Sequence, residues 1–471
     1  MAFQDWSLRN FSDGLIDSID DTLLPDGAAK DCQNFISRTI GTLQKRTGQT
    51  RLNPSLPLTG AVQGLYAYYH GEALTTRRLI VSAGGTVAWW NFVTSTWTQL
   101  RTGQSTLQPF LFETLVHAMV CFNGVNIPWT WNGSVVADLT NAPADGRYPV
   151  LHQEKLFVTR VLEPSTLRWS DSFQPNQWPT VNFWQIKMGD GDEITCLRSH
   201  LGQLIIFKNR SLHTLQGFSL DDFRLEELDD RIGCVGPLAA SALGPHLYFV
   251  SHEGLHVFNG VRSQNLSVNA IPQLWSRVNR AQIHRATVTV WDNVVWFALP
   301  EGTSTVNNLV IAYRIPEGNR VGSFWVWRGV NASCFQIFDN GQQIALYSGD
   351  SLSGFVNRQD VGTDDFGTPI QAFWQGKSFD QGTAEREKKA IRAFVEDSAT
   401  GENRVNLEVS LNYTPFQSLQ LVTSNPMVRA FRLPQGAWWR YIQLRFVHNQ
   451  LGSCEVRGLL IPFKTKEKPR A

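Results

Sequence analysis

A short apolar strand motif recurs every 37 to 50 residues over most of this 471-residue chain. Periods of that length, with several short strands in each, are typical of β-propellers rather than of single-sheet folds. An irregular β-sandwich with chance spacing is the alternative that the pattern leaves open. Because a propeller usually serves as a scaffold or a binding disc, a catalytic role needs evidence of its own. The seven motif cores are residues 79–81, 119–121, 156–158, 204–206, 247–249, 294–296 and 344–346.

Each core belongs to a unit of strand, tight polar turn, alternating strand, and a turn at Gly or Asn. Residues 201–217 and 243–260 follow this order. Glycine and asparagine suit such turns because hairpins need positive φ angles. Unbroken apolar runs such as 204–207 predict the innermost strands of a propeller, which are buried on both faces. The tryptophans in 129–131 and 325–327 predict third or outer strands whose side chains pack between blades.

The first 58 residues do not fit the repeat and predict an N-terminal arm. Residues 28–34 predict one or two helical turns after a turn signal at Pro25 and Asp26. A strand pair, 35–38 with 42–46, follows. An arm with few apolar anchors packs either on its own propeller or on a neighbouring subunit, and the sequence leaves both open.

The remaining chain predicts two further domains, so the fold class is all-β. Residues 59–367 predict a six- or seven-bladed β-propeller, with a short helix at 271–279 that has a proline near its first turn. Residues 368–471 predict a C-terminal β-sandwich of jelly-roll type, because strands follow one another every 10 to 15 residues. Residues 442–446 alternate as a half-buried strand does. The charged tail at 464–470 is expected to fray.

Composition agrees with a folded all-β protein. The chain has 17 Trp, 28 Phe and 37 Gly, and aromatic residues favour pleated sheets. Its net charge of +1 argues against tight sequence-independent DNA binding, which needs a dense basic surface. We expect no secretory signal and no membrane insertion by this chain, because no apolar run is long enough. The six scattered cysteines predict buried free thiols and folding in a reducing cytoplasm.

Motifs that carry chemistry are weak or missing, so we expect no enzyme activity, cofactor or metal ion. No nucleophile elbow, zinc-binding helix motif, phosphate loop or dinucleotide fingerprint occurs. His252 and His256 lie four apart in a strand and turn, which predicts two exposed hairpin histidines rather than a metal pair. Residues 189–193 cluster three carboxylates that could hold Ca²⁺, although a turn between blades fits them better.

A carbohydrate-binding or glycosidase-type propeller with an appended sandwich domain is the alternative function. Tryptophan pairs at 89–90 and 438–439 could stack on sugars if exposed, although core packing is the more common role. Residues 170–178 resemble the aspartate box of sialidase propellers, but Asp171 directly follows Ser170. A glycosidase also needs a carboxylate pair across a pocket, which the sequence does not place. A third possible function is that of an intracellular protein-interaction propeller. The chain lacks the Trp-Asp and Gly-His signatures of the commonest repeats of that kind.

Several segments resemble tail nozzle, or tail-hub, proteins of short-tailed bacteriophages. Residues 23–35 match the opening motif of that family, and 41–48 match the basic motif that follows, with Thr47 in place of the usual proline. Residues 169–212 are similar to its middle region. Ser378-Phe379-Asp380, followed by the basic run and Arg392, is similar to its C-terminal module. The resemblance covers most of the chain in order.

The resemblance implies a structural virion protein that forms a homohexameric ring below the portal. It implies contacts with itself, with a tail adaptor or portal-proximal ring, and with a tail fibre or tailspike. Double-stranded DNA is implied to pass through without sequence specificity during retention and ejection. The location implied is the virion tail, after assembly in the host cytoplasm. Candidate interface residues, named because they match the motif, are Pro25, Asp26, Lys45 and Arg46.

Overall fold

The computed structural model describes residues 3–55, 57–71, 76–318, 321–399, 404–424 and 428–466. The prediction of an all-β protein is confirmed, since 52% of the chain lies in strands and 3% in helices. The described residues include one α-helix, α1, over Pro272–Ser276, and 3-10 helices over Asp21–Leu23 and Arg280–Arg285. Proline stands in the first turn of α1, as the sequence predicts.

Seven short strands precede the repeats, and most of them join sheets built by later parts of the chain. They are β1 (Gln4–Leu8), β2 (Gly14–Leu15), β3 (Ala28–Ala29), β4 (Asp31–Gln33), β5 (Phe35–Ile36), β6 (Leu43–Lys45) and β7 (Gln49–Arg51). The predicted pairing of β5 with β6 is confirmed. The predicted helical turns are wrong, because β3 pairs with β2 and β4 pairs with a strand near residue 374. Pairing with distant strands overrides the local helical preference there.

Six four-stranded antiparallel sheets then follow one another along the chain, and their succession is consistent with a β-propeller. Sheet 1 contains β8 (Val62–His70), β9 (Thr76–Ala83), β10 (Thr86–Asn91) and β11 (Thr96–Arg101). Sheet 2 contains β12 (Leu111–Leu115), β13 (Ala118–Phe122), β14 (Trp129–Trp131) and β15 (Val136–Asp138). Sheet 3 contains β16 (Gly146–His152), β17 (Lys155–Arg160), β18 (Thr166–Trp169) and β19 (Phe183–Gln185).

The other three four-stranded sheets repeat this meander. Sheet 4 contains β20 (Ile194–His200), β21 (Gln203–Lys208), β22 (Leu212–Gln216) and β23 (Arg224–Asp229). Sheet 5 contains β24 (Ala240–Leu243), β25 (His246–Val250), β26 (Leu255–Phe258) and β27 (Ser263–Asn265). Sheet 6 contains β28 (Thr287–Trp291), β29 (Val294–Leu299), β30 (Leu309–Arg314) and β31 (Ser323–Arg328). As predicted, the tryptophans of 129–131 lie in a third strand and those of 325–327 in an outer one.

A seventh sheet is built from both ends of the repeat region. It contains β32 (Ala332–Asp339), β33 (Ile344–Asp350) and β34 (Val356–Gln359), and its fourth strand is β7 from the arm. The side chain of Gln359 donates to Gln49 Oε1 at 2.8 Å across this junction. The first strands of the seven sheets contact one another in sequence, and β32 contacts β8. The sheets therefore close into a ring, and β7 of the arm completes the last sheet by pairing with β34.

The seven apolar cores all lie in the second strand of a sheet, from β9 to β33. The prediction that such runs form the innermost strands is therefore wrong. The first strands surround the axis of the ring, where polar residues such as Arg147 and Glu193 face an open cavity. The second strands are more apolar because both of their faces are covered by the neighbouring sheets; β21, for example, is buried from Leu204 to Lys208.

The C-terminal region forms two larger sheets that include strands of the arm. Two short strands, β35 (Asp364–Asp365) and β36 (Thr368–Pro369), extend the seventh sheet beyond β7. The strands that follow are β37 (Ala372–Phe379), β38 (Lys388–Ala390), β39 (Arg392–Ala399), β40 (Asn406–Leu411), β41 (Gln417–Ser418), β42 (Gln420–Ser424), β43 (Val428–Arg432), β44 (Ile442–His448) and β45 (Cys454–Thr465). In β44 the predicted alternation is confirmed, with Ile442, Leu444 and Phe446 buried. Residues 464 and 465 of the predicted frayed tail are instead paired with β38, and residues 467–470 of that tail lie outside the described residues.

The eight-stranded sheet runs in the order β42-β43-β39-β45-β6-β5, with β1 and β38 also paired to β45. The five-stranded sheet runs β4-β37-β44-β40-β41. Both contribute side chains to one buried apolar cluster, in which the Phe11 ring lies 5.2 Å from Trp374 and 5.8 Å from Phe446. The arm thus packs on its own chain and contributes strands to both C-terminal sheets.

Candidate functional site

Arg46, one of the four candidate interface residues, is buried and bonded entirely within the chain. Its guanidinium donates to both carboxylate oxygens of Asp365 at 3.1 and 2.5 Å. It also donates to Asn34 Oδ1 at 3.0 Å and to the carbonyl oxygens of Arg328 and Thr47. The side chain is 3% exposed. Arg46 therefore joins the arm to the outer strand of sheet 6 and to β35.

Asn34 completes this junction from a left-handed backbone conformation, with φ of 56°. Its side-chain oxygen accepts from Arg46 and from the backbone N–H of Arg328 at 2.8 Å. Its side-chain NH₂ donates to the carbonyl of Gln371 at 2.8 Å. Asparagine tolerates this conformation better than most residues, so one residue both turns the chain and bonds three segments.

The other candidate interface residues differ in how accessible they are. Lys45 is buried, and its ammonium donates to the carbonyl of Gln450 at 3.1 Å. Burial lowers the Lys45 pKa below its ordinary value. Pro25 and Asp26 are exposed, and Asp26 pairs with Lys377 at 2.6 Å. Pro25 and Asp26 thus remain accessible to a neighbouring subunit, whereas Lys45 and Arg46 hold the arm in place.

A cavity of about 650 Å³ opens on the axis of the ring, and its wall is formed by strand residues of sheets 1, 3, 4 and 7 and by segments that connect the sheets. Arg147 donates to Glu193 at 2.6 Å and to the hydroxyl of Tyr148 at 3.2 Å inside it. Tyr148 has a φ of 58° beside a bulge in the pairing of β16 with β17, and burial raises its pKa. A bulky residue with positive φ is strained, and such strain concentrates at binding sites.

The acidic loop at 189–193 connects sheet 3 to sheet 4, in agreement with the prediction of a turn at this position. Both oxygens of Asp190 accept from the fully buried ammonium of Lys208, at 2.7 and 2.6 Å. Asp192 accepts from the backbone N–H groups of Asn209 and Arg210. Although burial raises the Asp190 pKa, its bonds to Lys208 and Asp192 hold it below the ordinary value. The carboxylates of this loop are therefore committed to internal contacts.

The two histidines of the sheet 5 hairpin differ from expectation. His252 is exposed, but His256 is fully buried, so the prediction of two exposed histidines is wrong. The His256 ring stacks on Phe249 at 5.1 Å, and its nitrogens have no hydrogen-bond partner among the described residues. Burial lowers the pKa of His256 to about 4. His256 lies in β26, the third strand of its sheet, and the neighbouring sheets cover both faces of that strand. The alternation of polar and apolar residues in the sequence therefore did not reveal that His256 is buried.

Two of the four tryptophans considered for sugar stacking lie in the core. Trp90 and Trp439 are 4% and 0% exposed. Trp89 is covered by the Arg78 guanidinium at 4.1 Å, and two lysines flank Trp438. Core packing, the common role, thus applies to Trp90 and Trp439, whereas Trp89 and Trp438 are half-buried and lie beside cations.

All six cysteines are free and buried, as predicted. Within the described ranges, no group of three or more His, Cys, Asp or Glu side chains is arranged to hold a metal ion. No helix in the described part of the chain is long and apolar enough to cross a membrane.

Asp365 is the functional residue that the sequence did not reveal. It stands in a short acidic stretch, and nothing local distinguishes it from Asp364. Its role depends on a partner in the arm, 319 residues away. The basic motif 41–48 was the only hint in the sequence that such a residue exists, because an arginine buried in the fold needs an acidic partner.

No family model matches this chain, and no curated protein matches it. Among solved structures it is similar to a chain in a crystal structure of BBS1N in complex with ARL6DN, soaked with mercury. The two chains share 10% identity with a TM-score of 0.42. The match covers 67% of this chain and 97% of that chain. A likeness of this size carries no argument about function.

Proposed function

We propose that this chain is a structural subunit of the tail nozzle of a short-tailed bacteriophage. The observation that carries the proposal is the ordered resemblance of residues 23–48, 169–212 and 378–392 to that family. The position of the first segment supports it. Residues 23–48 contribute β4 to the five-stranded sheet and β5 and β6 to the eight-stranded sheet, and Asn34 and Arg46 bond this segment to Arg328 of sheet 6. The matched motif therefore has an architectural role, as expected for a virion protein.

We further propose a seven-bladed propeller over residues 59–367, closed by β7, and a C-terminal sandwich over 368–471. The cyclic contacts of the first strands support the first point. The shared core of the eight- and five-stranded sheets supports the second. The boundary at residue 58 marks where the sequence repeat begins. It is not a boundary between structural domains, because most strands of the arm are part of sheets built by later residues. We propose that this body is inert and acts without enzymatic chemistry.

In the proposed assembly six copies form a ring in the virion tail, assembled in the host cytoplasm. Heterologous contacts close such a ring, so each subunit needs two different complementary surfaces. One end would meet the adaptor or portal-proximal ring, and a fibre or tailspike would attach nearby. Double-stranded DNA would pass through the hexamer without sequence-specific contacts. Pro25 and Asp26 are the exposed residues of the matched motif and are our candidates for the subunit contact.

A second candidate function is binding of a small polar ligand, such as a carbohydrate, in the axial cavity. The strained Tyr148 beside the Arg147–Glu193 pair favours this reading. Glu193 is the one carboxylate among the described residues lining the cavity, so the second carboxylate of a glycosidase is missing. In this alternative the cavity would bind a carbohydrate without hydrolysing it.

A nonsense allele in the phage gene tests the proposed function. In a host without a suppressor, we expect DNA-packaging particles that have portals but lack the tip of the tail and do not infect. Supplying the chain in trans should restore the tip and infectivity. Normal infectious particles from the nonsense allele would contradict the proposal and make a glycan array the next experiment.

A further inference from the structure

The outer face of the eight-stranded sheet carries a compact group of cations, which we call the basic face: Lys389, Arg392, Arg432 and Lys464. Arg392 lies directly opposite Arg432 in the pairing of β39 with β43. Lys389 lies directly opposite Lys464 in the pairing of β38 with β45. Because strands lie about 4.8 Å apart, the four positions span roughly 10 Å in each direction.

Both cation pairs lie on the same side of the sheet. Lys464, Pro462 and Leu460 alternate along β45 with the buried Ile461 and Phe463. Leu460 is the partner of Phe394, which is two residues from Arg392. The even spacing places Arg392 and Lys464 on the solvent side together.

These cations are not neutralised within the described chain. Like charges directly opposite each other in a sheet are destabilising, yet neither pair has an acid within salt-bridge distance among the described residues. The contacts seen are with aromatic rings instead: the Lys464 ammonium lies 4.3 Å from the Phe3 ring, and that of Lys389 lies 5.7 Å from Trp438. The basic face therefore has unused capacity for an anionic partner.

A complementary acidic surface lies on the outermost strand of sheet 4. We call it the acidic edge: β23 and the turns at its two ends, with Asp221, Glu226 and Asp230 around the exposed Arg224. All three carboxylates are exposed, and the nearest cation to Asp230 is Arg231, at 3.9 Å. In the described structure β23 pairs only with β22, so its other side is open. The acids of the arm are not equivalent, since Asp17 accepts from the start of α1 and Asp21 pairs with Lys30.

We propose that the basic face binds the acidic edge of a second copy of this chain. The inference deepens the proposed function and rests on it, because a closed ring needs two different complementary surfaces. The chain is nearly neutral overall at +1, yet it collects cations that are unpaired within the described chain on the basic face and exposed acids on the acidic edge. Charge complementarity of this kind fixes register and speeds association more than it strengthens the final complex.

A charge-swap experiment on the full chain tests the proposal. Sedimentation velocity at 100 mM NaCl should show self-association, with an apparent dissociation constant at least about tenfold weaker at 500 mM NaCl. The basic-face variant Arg392→Glu/Arg432→Glu and the acidic-edge variant Glu226→Lys/Asp230→Lys should each weaken association about tenfold or more. An equimolar mixture of the two variants should associate again, and so should one chain carrying all four substitutions.

The matched control is Arg210→Glu/Arg285→Glu, which makes the same change in charge on exposed arginines at the mouth of the ring. It should associate as the wild type does, and all variants should keep the wild-type Tm. A wild type that associates while both reversals are neutral would overturn this inference and leave the nozzle proposal to its phage test. A wild type that stays monomeric at low salt would also overturn it, again without deciding where the protein lies in the virion.

Discussion

Arg46 and Asp365 lie 319 residues apart in sequence and meet through two hydrogen bonds, of 3.1 and 2.5 Å. This pair joins the arm to β35, the strand that extends the seventh sheet beyond β7. Asn34 and the carbonyl of Arg328 occupy other donors of the same guanidinium. The contact therefore connects the arm, sheet 6 and β35 at one point.

Removing Asp365 should destabilise the fold strongly. Breaking a buried pair leaves a charge without its partner, which costs about 3–5 kcal/mol, so Asp365→Ala should lower the free energy of unfolding by about that amount. Arg46→Lys should lose much of the same energy because lysine has no planar fork of donors. Urea unfolding followed by tryptophan fluorescence measures both. The control is Arg9→Ala, which removes an exposed pair with Glu396 and should cost at most about 1 kcal/mol. Equal costs at the two sites would contradict the account.

A second buried pair, Arg429 with Asp397, should behave as one unit in the C-terminal sheet. The two side chains are 4% and 0% exposed and share two hydrogen bonds, of 3.0 and 2.8 Å. Asp397→Leu and Arg429→Met should each cost about 3–5 kcal/mol, whereas the double variant should cost clearly less than their sum. A double-mutant cycle by urea unfolding measures the coupling. Additive costs would show that the pair is not coupled.

His256 should make the stability of the ring depend on pH. Burial lowers its pKa from 6.5 to about 4, so the unfolded chain binds a proton below pH 6.5 while the folded chain does not. The stability contributed by neutral His256 is therefore present above pH 6.5 and is lost progressively as pH falls toward 4.

Between pH 7.5 and 5 the wild type should lose about 2 kcal/mol more than His256→Phe, which cannot be protonated. Urea unfolding at the two pH values tests this difference. The variant should also be at least as stable as the wild type at pH 7.5, because it removes two buried nitrogens without partners. Identical pH profiles would mean that His256 has the same pKa in the folded and unfolded chain, which would contradict the effect of burial.

Gly354 should tolerate no side chain where the chain closes the seventh sheet. A Cβ there would lie 1.7 Å from the carbonyl oxygen of Leu58, which bridges to Gly354 in the backbone. Gly354→Ala should cost about 3 kcal/mol or more through displacement of that closure. The control is Gly458→Ala, whose Cβ would meet nothing nearer than 3.6 Å and should change stability by less than about 1 kcal/mol. Thermal unfolding of the two variants compares them, and equal Tm values would contradict the closure.

The sequence predicted the repeated units well because they are local. The seven apolar cores are all second strands, and the turns that bound them depend on neighbouring residues such as Gly202. Periodicity could not tell that these strands are second rather than first. That distinction depends on which strands surround the axis, and it is decided by contacts between sheets.

The arm was predicted less well because its structure depends on distant partners. Residues 28–34 have the composition of a short helix, yet Cys32 pairs with Trp374 as part of a strand. The partner of Arg46 could not be identified for the same reason. Of the four interface residues predicted from the motif, Pro25 and Asp26 are exposed, as an interface requires. Lys45 and Arg46 are instead buried in contacts within the chain.

The most direct test of the nozzle proposal is to locate the protein in the virion. Gold-tagged antibody against this chain, applied to purified particles of the phage that encodes it, can be imaged by electron microscopy. The account predicts gold at the tip of the tail, with none on the capsid. Unlabelled virions, with the protein found only in the lysate, would contradict it.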